Sequence, residues 1–114
     1  MKNSNKLKIP QYNSEEMKSQ AFDATNLLKS LGHEGRLMIL CHLKTGEKTV
    51  SELEKSLSLS QAAVSQNLAR LRAEGLIKAR KDGRTRRYSL RDVRASLMVE
   101  FVYHLFCADE AEAA

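Results

Sequence analysis

The chain has little of several things, and each scarcity removes a class of protein. It holds only two cysteines, Cys41 and Cys107, and no Cys-x-x-Cys pair, so neither a disulfide-stapled framework nor a dithiol oxidoreductase motif is present. No run of about 18 apolar residues is available to span a bilayer. The opening stretch from Met1 to Gln11 lacks the apolar centre of a secretory signal. A cytoplasmic chain with no membrane partner is therefore expected, in a compartment that keeps thiols reduced. Internal repeats and long low-complexity segments are absent too. A length of 114 residues leaves room for one domain, which at this size buries roughly two-thirds of its unfolded surface. No second, catalytic domain fits and no substrate-binding loop is evident, so an enzyme is not expected.

What is present is positive charge, and it is unevenly placed. Nineteen Lys and Arg stand against fourteen Asp and Glu, for a net charge of +5, a balance that favours a polyanionic partner. Arg70, Arg72, Lys78, Arg80, Lys81, Arg84, Arg86 and Arg87 crowd one stretch, while the last residues are acidic. Residues 1–13, with Pro10 and several Asn and Lys, lack periodicity and are expected to be disordered. Residues 14–107 form the expected domain, and 108–114 a frayed tail.

Within the domain the hydrophobic period changes in an informative order. Ser14 can cap a first helix whose apolar stripe runs through Met17, Ala21, Ala24, Leu27, Leu28 and Leu31 to Gly32. A second, His33 to Leu43, contains Cys41 and closes near Gly46. Thr49 or Val50 opens a short helix with Leu53 and Leu57 four apart. After the turn through Ser58, Ser60 caps another helix in which Val64, Leu68 and Leu71 point inward, and Gly75 ends it. Two short helices about a tight turn suggest a helix-turn-helix. Ile77 and Ala79 then alternate with Lys78 and Arg80, Asp82-Gly83 supplies a hairpin turn, and Thr85, Arg87 and Tyr88 form a return strand. Ser89, with Asp92 three residues on, is read as the start of a last helix with an apolar face of Val93, Leu97, Phe101 and Leu105. The fold class is mainly α with a small β-hairpin, a winged helix-turn-helix.

A helix that enters the major groove of double-stranded DNA needs short polar side chains on one exposed face and cations at its flanks. Gln61, Ser65 and Gln66 are the candidates for base contacts, and Ala62 and Ala63 leave room for close approach. Arg84, Arg86 and Arg87 at the wing would meet phosphate or the minor groove, and Thr49 and Ser51 would bond phosphates at a helix start. For an isolated helix, a merely solvated polar face is the blander account. The ordered sequence of helix, turn, capped helix and basic hairpin favours DNA.

The segments LLKSLGHEGRLMILCHL, TVSELEKSLSLSQAAVSQNLARLRAEGLI and KDGRTRRYSL closely resemble the ArsR family of bacterial repressors, over roughly residues 20 to 107. The resemblance implies a homodimer joined through the first and last helices that represses nearby genes until an inducer arrives. Independently, Leu97, Met98, Phe101, Val102, Leu105 and Phe106 exceed the single stripe that core packing needs, as a self-association surface would.

Many members of that family sense metals, but the helix from Ser51 to Leu57 carries no cysteine pair, and Asp92 is followed two residues on by Arg94, not histidine. His104 and Cys107 are a turn apart, yet two ligands make a poor site unless Cys41 and His42 join. No metal and no cofactor are expected. Cys41 in the second helix and Cys107 ending FVYHLFC resemble instead the BigR/SqrR dithiol subgroup of the family. That likeness implies a reactive sulfur species as inducer, acting on two helices that pack together in this fold. His42 and His104 are possible neighbours to stabilise a thiolate. A disulfide needs α-carbons within about 7 Å, and each inserted sulfur lengthens the bridge by up to about 2 Å. A metal-responsive repressor, a general thiol-oxidation sensor, and two cysteines that are simply small hydrophobes remain alternatives.

Overall fold

The computed structural model describes residues 13–107. Their order is α1 (Ser14–Leu31), α2 (Glu34–Lys44), α3 (Val50–Leu57), α4 (Gln61–Ala73), β1 (Ile77–Asp82), β2 (Thr85–Leu90) and α5 (Val93–Phe106), the winged helix-turn-helix expected. Residues 1–12 of the segment read as disordered, and the whole tail 108–114, lie outside the described residues. None of the described helices is long and apolar enough to cross a membrane.

Local chemistry sets most of these boundaries. Asn13, rather than Ser14, caps α1: its side chain accepts the Glu16 N–H at 3.0 Å. Thr49 and Glu52 form a reciprocal capping box at the start of α3, which satisfies two amides that would otherwise lack partners. Ser58 ends α3 in the left-handed region at φ 55°, a conformation uncommon for residues with a Cβ. Gly75, at φ 78°, ends α4 in a Schellman turn: its N–H bonds the Arg72 carbonyl, and the Leu76 N–H bonds that of Leu71, both at 3.0 Å. The hairpin turns on Gly83 and Arg84, with Asp82 opposite Thr85 and Gly83 at φ 67°, the glycine-first form of a two-residue loop.

The last helix begins later than expected. Ser89 lies in β2 opposite Lys78, and Leu90 pairs with Ile77. The alternating Tyr88 and Leu90 carry the strand on, and Asp92 becomes the cap of α5, accepting the Arg94 N–H at 2.8 Å.

One core joins every helix to the hairpin: Leu31, Ile39, Leu40, Leu43, Leu53, Val64, Leu68, Leu71, Leu76, Ile77, Ala95 and Val99. Each fully buried Leu or Ile is worth roughly 1.5–3 kcal/mol, so this cluster is what fixes α4 in place. The expected apolar face of α5 does not join it. Ala95 and Val99 are buried instead, while Val93, Leu97, Phe101 and Leu105 are exposed, Leu97 by 58%. On α1, Phe22 is 77% exposed, and Met17 and Leu28 are exposed too. A further pairing completes the wing: Lys48 and Tyr88 exchange backbone hydrogen bonds at 3.0 and 2.8 Å, which ties β2 to the loop between α2 and α3.

Candidate nucleic-acid interface and thiol pair

Because Val64, Leu68 and Leu71 are locked in the core, the helical period turns Gln61, Ala62, Ser65, Gln66 and Ala69 outward, and all five are exposed. Ser60 anchors the start of this helix by accepting the Ala63 N–H at 3.1 Å. At its other end Glu74 bonds Arg70 at 2.9 Å and accepts from the Ser30 hydroxyl of α1. Burial pushes the Glu74 carboxyl up, but Ser30 and Arg70 outweigh it and the net displacement is downward. Arg36 of α2 caps the end of α1 by donating to the Ser30 and Lys29 carbonyls at 3.2 and 3.3 Å. The exposed polar face of α4 is thus held at both ends. Gly35 permits the close passage of α2 past it, since a Cβ there would stand 3.0 Å from Asn67 Nδ2.

The residues expected around this helix are placed unequally. Ser51 is exposed in the first turn of α3. Thr49 is buried, its hydroxyl accepting the Glu52 N–H at 3.1 Å while its own N–H donates to Glu52 Oε1 at 2.9 Å. That hydroxyl positions the helix rather than facing outward. Of the three wing arginines, Arg84 at the tip and Arg86 are exposed and form no ion pair among the described residues. Arg87 is half-buried and its Nε donates to Asp82 Oδ2 at 2.8 Å. Arg80 makes a two-pronged pair with Glu47, Nε to Oε2 at 2.9 Å and Nη2 to Oε1 at 3.0 Å. Sequence reasoning missed this division of the wing's cations. Lys81 is exposed and directly opposite Arg86 in the ladder, so the alternation of β1 lapses toward the tip, where Arg80, Lys81 and Asp82 are all exposed.

The two thiols belong to α2 and to the end of α5. Cys41 is half-buried on α2, and Cys107 is the exposed C-cap of α5, its N–H donating to the Tyr103 carbonyl at 2.8 Å. Lys44 clasps the two helices together, bonding Ser96 Oγ at 2.7 Å and Glu100 Oε1 at 3.5 Å. Beside that clasp runs a groove lined by Cys41, His42, Lys44, Thr45, Val99, Glu100 and Tyr103. Burial pushes the Cys41 thiol up, and the neighbouring Cys107 adds to the rise. His42 lines that groove beside Cys41. His104 instead stands edge-on to Tyr103, ring centres 6.0 Å apart. No cluster of three or more His, Cys, Asp or Glu suited to a metal occurs among the described residues.

Known proteins share this fold. Residues 33–79 match the family model described as bacterial regulatory protein, arsR family. The transcriptional activator HlyU of Vibrio cholerae is 42% identical, with 89% of this chain and 94% of HlyU covered. The structure of reduced HlyU superimposes with a TM-score of 0.78 at 42% identity, covering 82% of this chain and 98% of HlyU. That of the transcriptional repressor BigR from Xylella fastidiosa gives 0.79 at 36% identity, covering 84% and 98%. With its helix-turn-helix, basic hairpin and similarity to such regulators over most of its length, the chain belongs to the ArsR family of bacterial regulatory proteins.

Proposed function

We propose that this protein is a homodimeric transcriptional repressor, not an enzyme, that binds operator DNA in the cytoplasm and loses affinity when reactive sulfur species bridge Cys41 and Cys107. The observation that carries the reading is the pairing of one half-buried and one exposed thiol on two helices clasped together by Lys44. Gln61, Ser65 and Gln66 meet base edges in the major groove. Arg84 and Arg86, with Ser51, meet phosphates, and Arg87 joins them from its pair with Asp82. Thr49 contributes by fixing the first turn of α3. The exposed apolar residues of α1 and α5, Phe22, Leu97, Phe101 and Leu105 among them, form the surface between two copies.

The chemistry follows from the difference in exposure. Cys107 is accessible, so its thiolate attacks the sulfane sulfur of a persulfide, RS–SH, forming Cys107–S–SH and releasing RS⁻. The Cys41 thiolate then attacks the Cys107 sulfur and expels HS⁻, leaving a disulfide. Where Cys41 has also taken a sulfur, the same attack by its persulfide leaves a trisulfide and again releases HS⁻. Either bridge constrains α5 against α2 and so biases the placement of the two reading helices. A tenfold loss of DNA affinity needs only about 1.4 kcal/mol of difference between the two states.

The test is binding of promoter fragments by the reduced protein before and after glutathione persulfide, with intact mass recorded and Cys41→Ser and Cys107→Ser run alongside. Loss of binding with a bridging mass change, reversed by reductant and absent in both variants, is expected. Binding that ignores persulfide in the wild type refutes the thiol switch while leaving the repressor intact. A response to peroxide alone, ending in a plain disulfide, makes it a general oxidation sensor.

A further inference from the structure

The wing carries two kinds of cation. Lys78, Lys81, Arg84 and Arg86 are exposed and without a carboxylate partner among the described residues. Arg80 and Arg87 are each held by one, Glu47 at 2.9 Å and Asp82 at 2.8 Å. The ladder sets these two arginines directly opposite each other, and like charges so placed repel. Glu47 reaches them from the loop between α2 and α3, and Asp82 stands next to the Gly83-Arg84 tip. The four charged groups therefore lie between the hairpin tip and the point where its middle meets the start of α3, and Glu52 of that first turn adds its field at Arg87.

Stability does not explain these pairs. Arg80 is 58% exposed and Asp82 50%, and solvent and salt screen ion pairs in such settings so that they contribute little. What the pairs do set is the charge the wing offers to DNA. A carboxylate grips a guanidinium with the same two-oxygen geometry as a phosphate does, and the Glu47–Arg80 fork has that form. We propose that Glu47 and Asp82 are phosphate surrogates, tethered anions that occupy Arg80 and Arg87 and so lower the wing's affinity for DNA of any sequence. A regulator that must find few operators among a genome of competing sites, and must leave them on a signal, gains by keeping this sequence-blind term small. The inference rests on the DNA-binding reading and is independent of the thiol switch.

The experiment compares Glu47→Gln and Asp82→Asn with the reduced wild type, using fluorescence anisotropy on a labelled mixed-sequence duplex of about 30 base pairs and on a promoter fragment, across a salt series. One added phosphate contact steepens the salt slope by about 0.9, which corresponds to roughly fivefold tighter binding near 0.15 M salt. Each variant is expected to gain about that factor on both duplexes. Glu15→Gln, which makes the same charge change on α1, should move binding far less. Adding Arg80→Ala to Glu47→Gln should return affinity to the wild-type level. Unchanged or weaker binding by both variants overturns the inference and makes the carboxylates braces of the wing, as would their unfolding. An equal gain from Glu15→Gln overturns it in favour of net charge. If the wild type binds neither duplex, it is the DNA-binding reading that fails, and this inference with it.

Discussion

Two helices of similar length treat their apolar residues in opposite ways. In α4, Val64, Leu68 and Leu71 are all buried within one chain, and Glu74, Arg70 and Ser30 fasten the far end. In α5 only Ala95 and Val99 are buried, while Val93, Leu97, Phe101, Leu105 and Phe106 face outward. The first helix is finished by its own fold, and its outer face is free to be polar. The second keeps its larger apolar residues outside the core, at the surface of the described residues. The anchored helix is thus the one whose outer face is polar, and the outward-facing apolar surface sits on the helix that ends at the exposed Cys107.

The largest way to break this contrast is to hollow the finished side. Leu68→Ala should cost about 2–5 kcal/mol in urea unfolding, as large-to-small changes in packed cores do, whereas Leu97→Ala should leave the unfolding of the dissociated chain nearly unchanged. Next in size, Leu97→Asp with Phe101→Asp should give a soluble monomer in sedimentation, and promoter binding should fall by about a hundredfold as two-site attachment is lost. A dimer that survives this pair would show that α5 is not the shared surface.

Smaller effects separate the helix starts. Arg94 holds the Asp92 carboxyl below the usual carboxylate range, its guanidinium outweighing the upward push of burial, while the cap of α4 is Ser60, which does not titrate in acid. A depressed carboxyl stabilises above its unfolded value, near about 3.9, and that contribution is lost as pH falls through the lower folded value. Hydrogen exchange should therefore show the first turn of α5 opening below about pH 4 while that of α4 stays protected. Smallest of all, Ser58→Gly relieves a left-handed residue ahead of α4 and should raise stability by about 0.5–1 kcal/mol in the same unfolding assay. No gain there would mean that the Ser58 side chain contributes more than its strain costs.

The helix-turn-helix and the hairpin were legible because local cues agreed: the period of Val64, Leu68 and Leu71, the Ser60 cap, Gly75 and Gly83. The start of α5 was not, because Ser89 and Asp92 mimic a capping pattern while Tyr88 and Leu90 continue a strand, and the pairing with Ile77 and Ala79 decided between them. Nor could sequence choose between the two apolar stripes of α5. The close approach to α2 admits the small Ala95 and Val99 and leaves the larger residues outside. The division between held and free arginines was invisible, since Glu47 and Arg80 are 33 residues apart and their pairing exists only after the chain has folded. The same holds for the unequal thiols, whose difference is one of burial.

The two backbone hydrogen bonds between Lys48 and Tyr88 have a mechanical meaning. They weld the middle of the hairpin to the root of α3, so the base of the wing cannot shift without carrying the first turn of that helix with it. Phosphates on a duplex are spaced at fixed intervals, and a hydrogen bond tolerates only a few tenths of an ångström of stretch. On the DNA-binding reading, a joint of this kind makes the contacts of the wing and of the helix-turn-helix form and break together rather than one at a time.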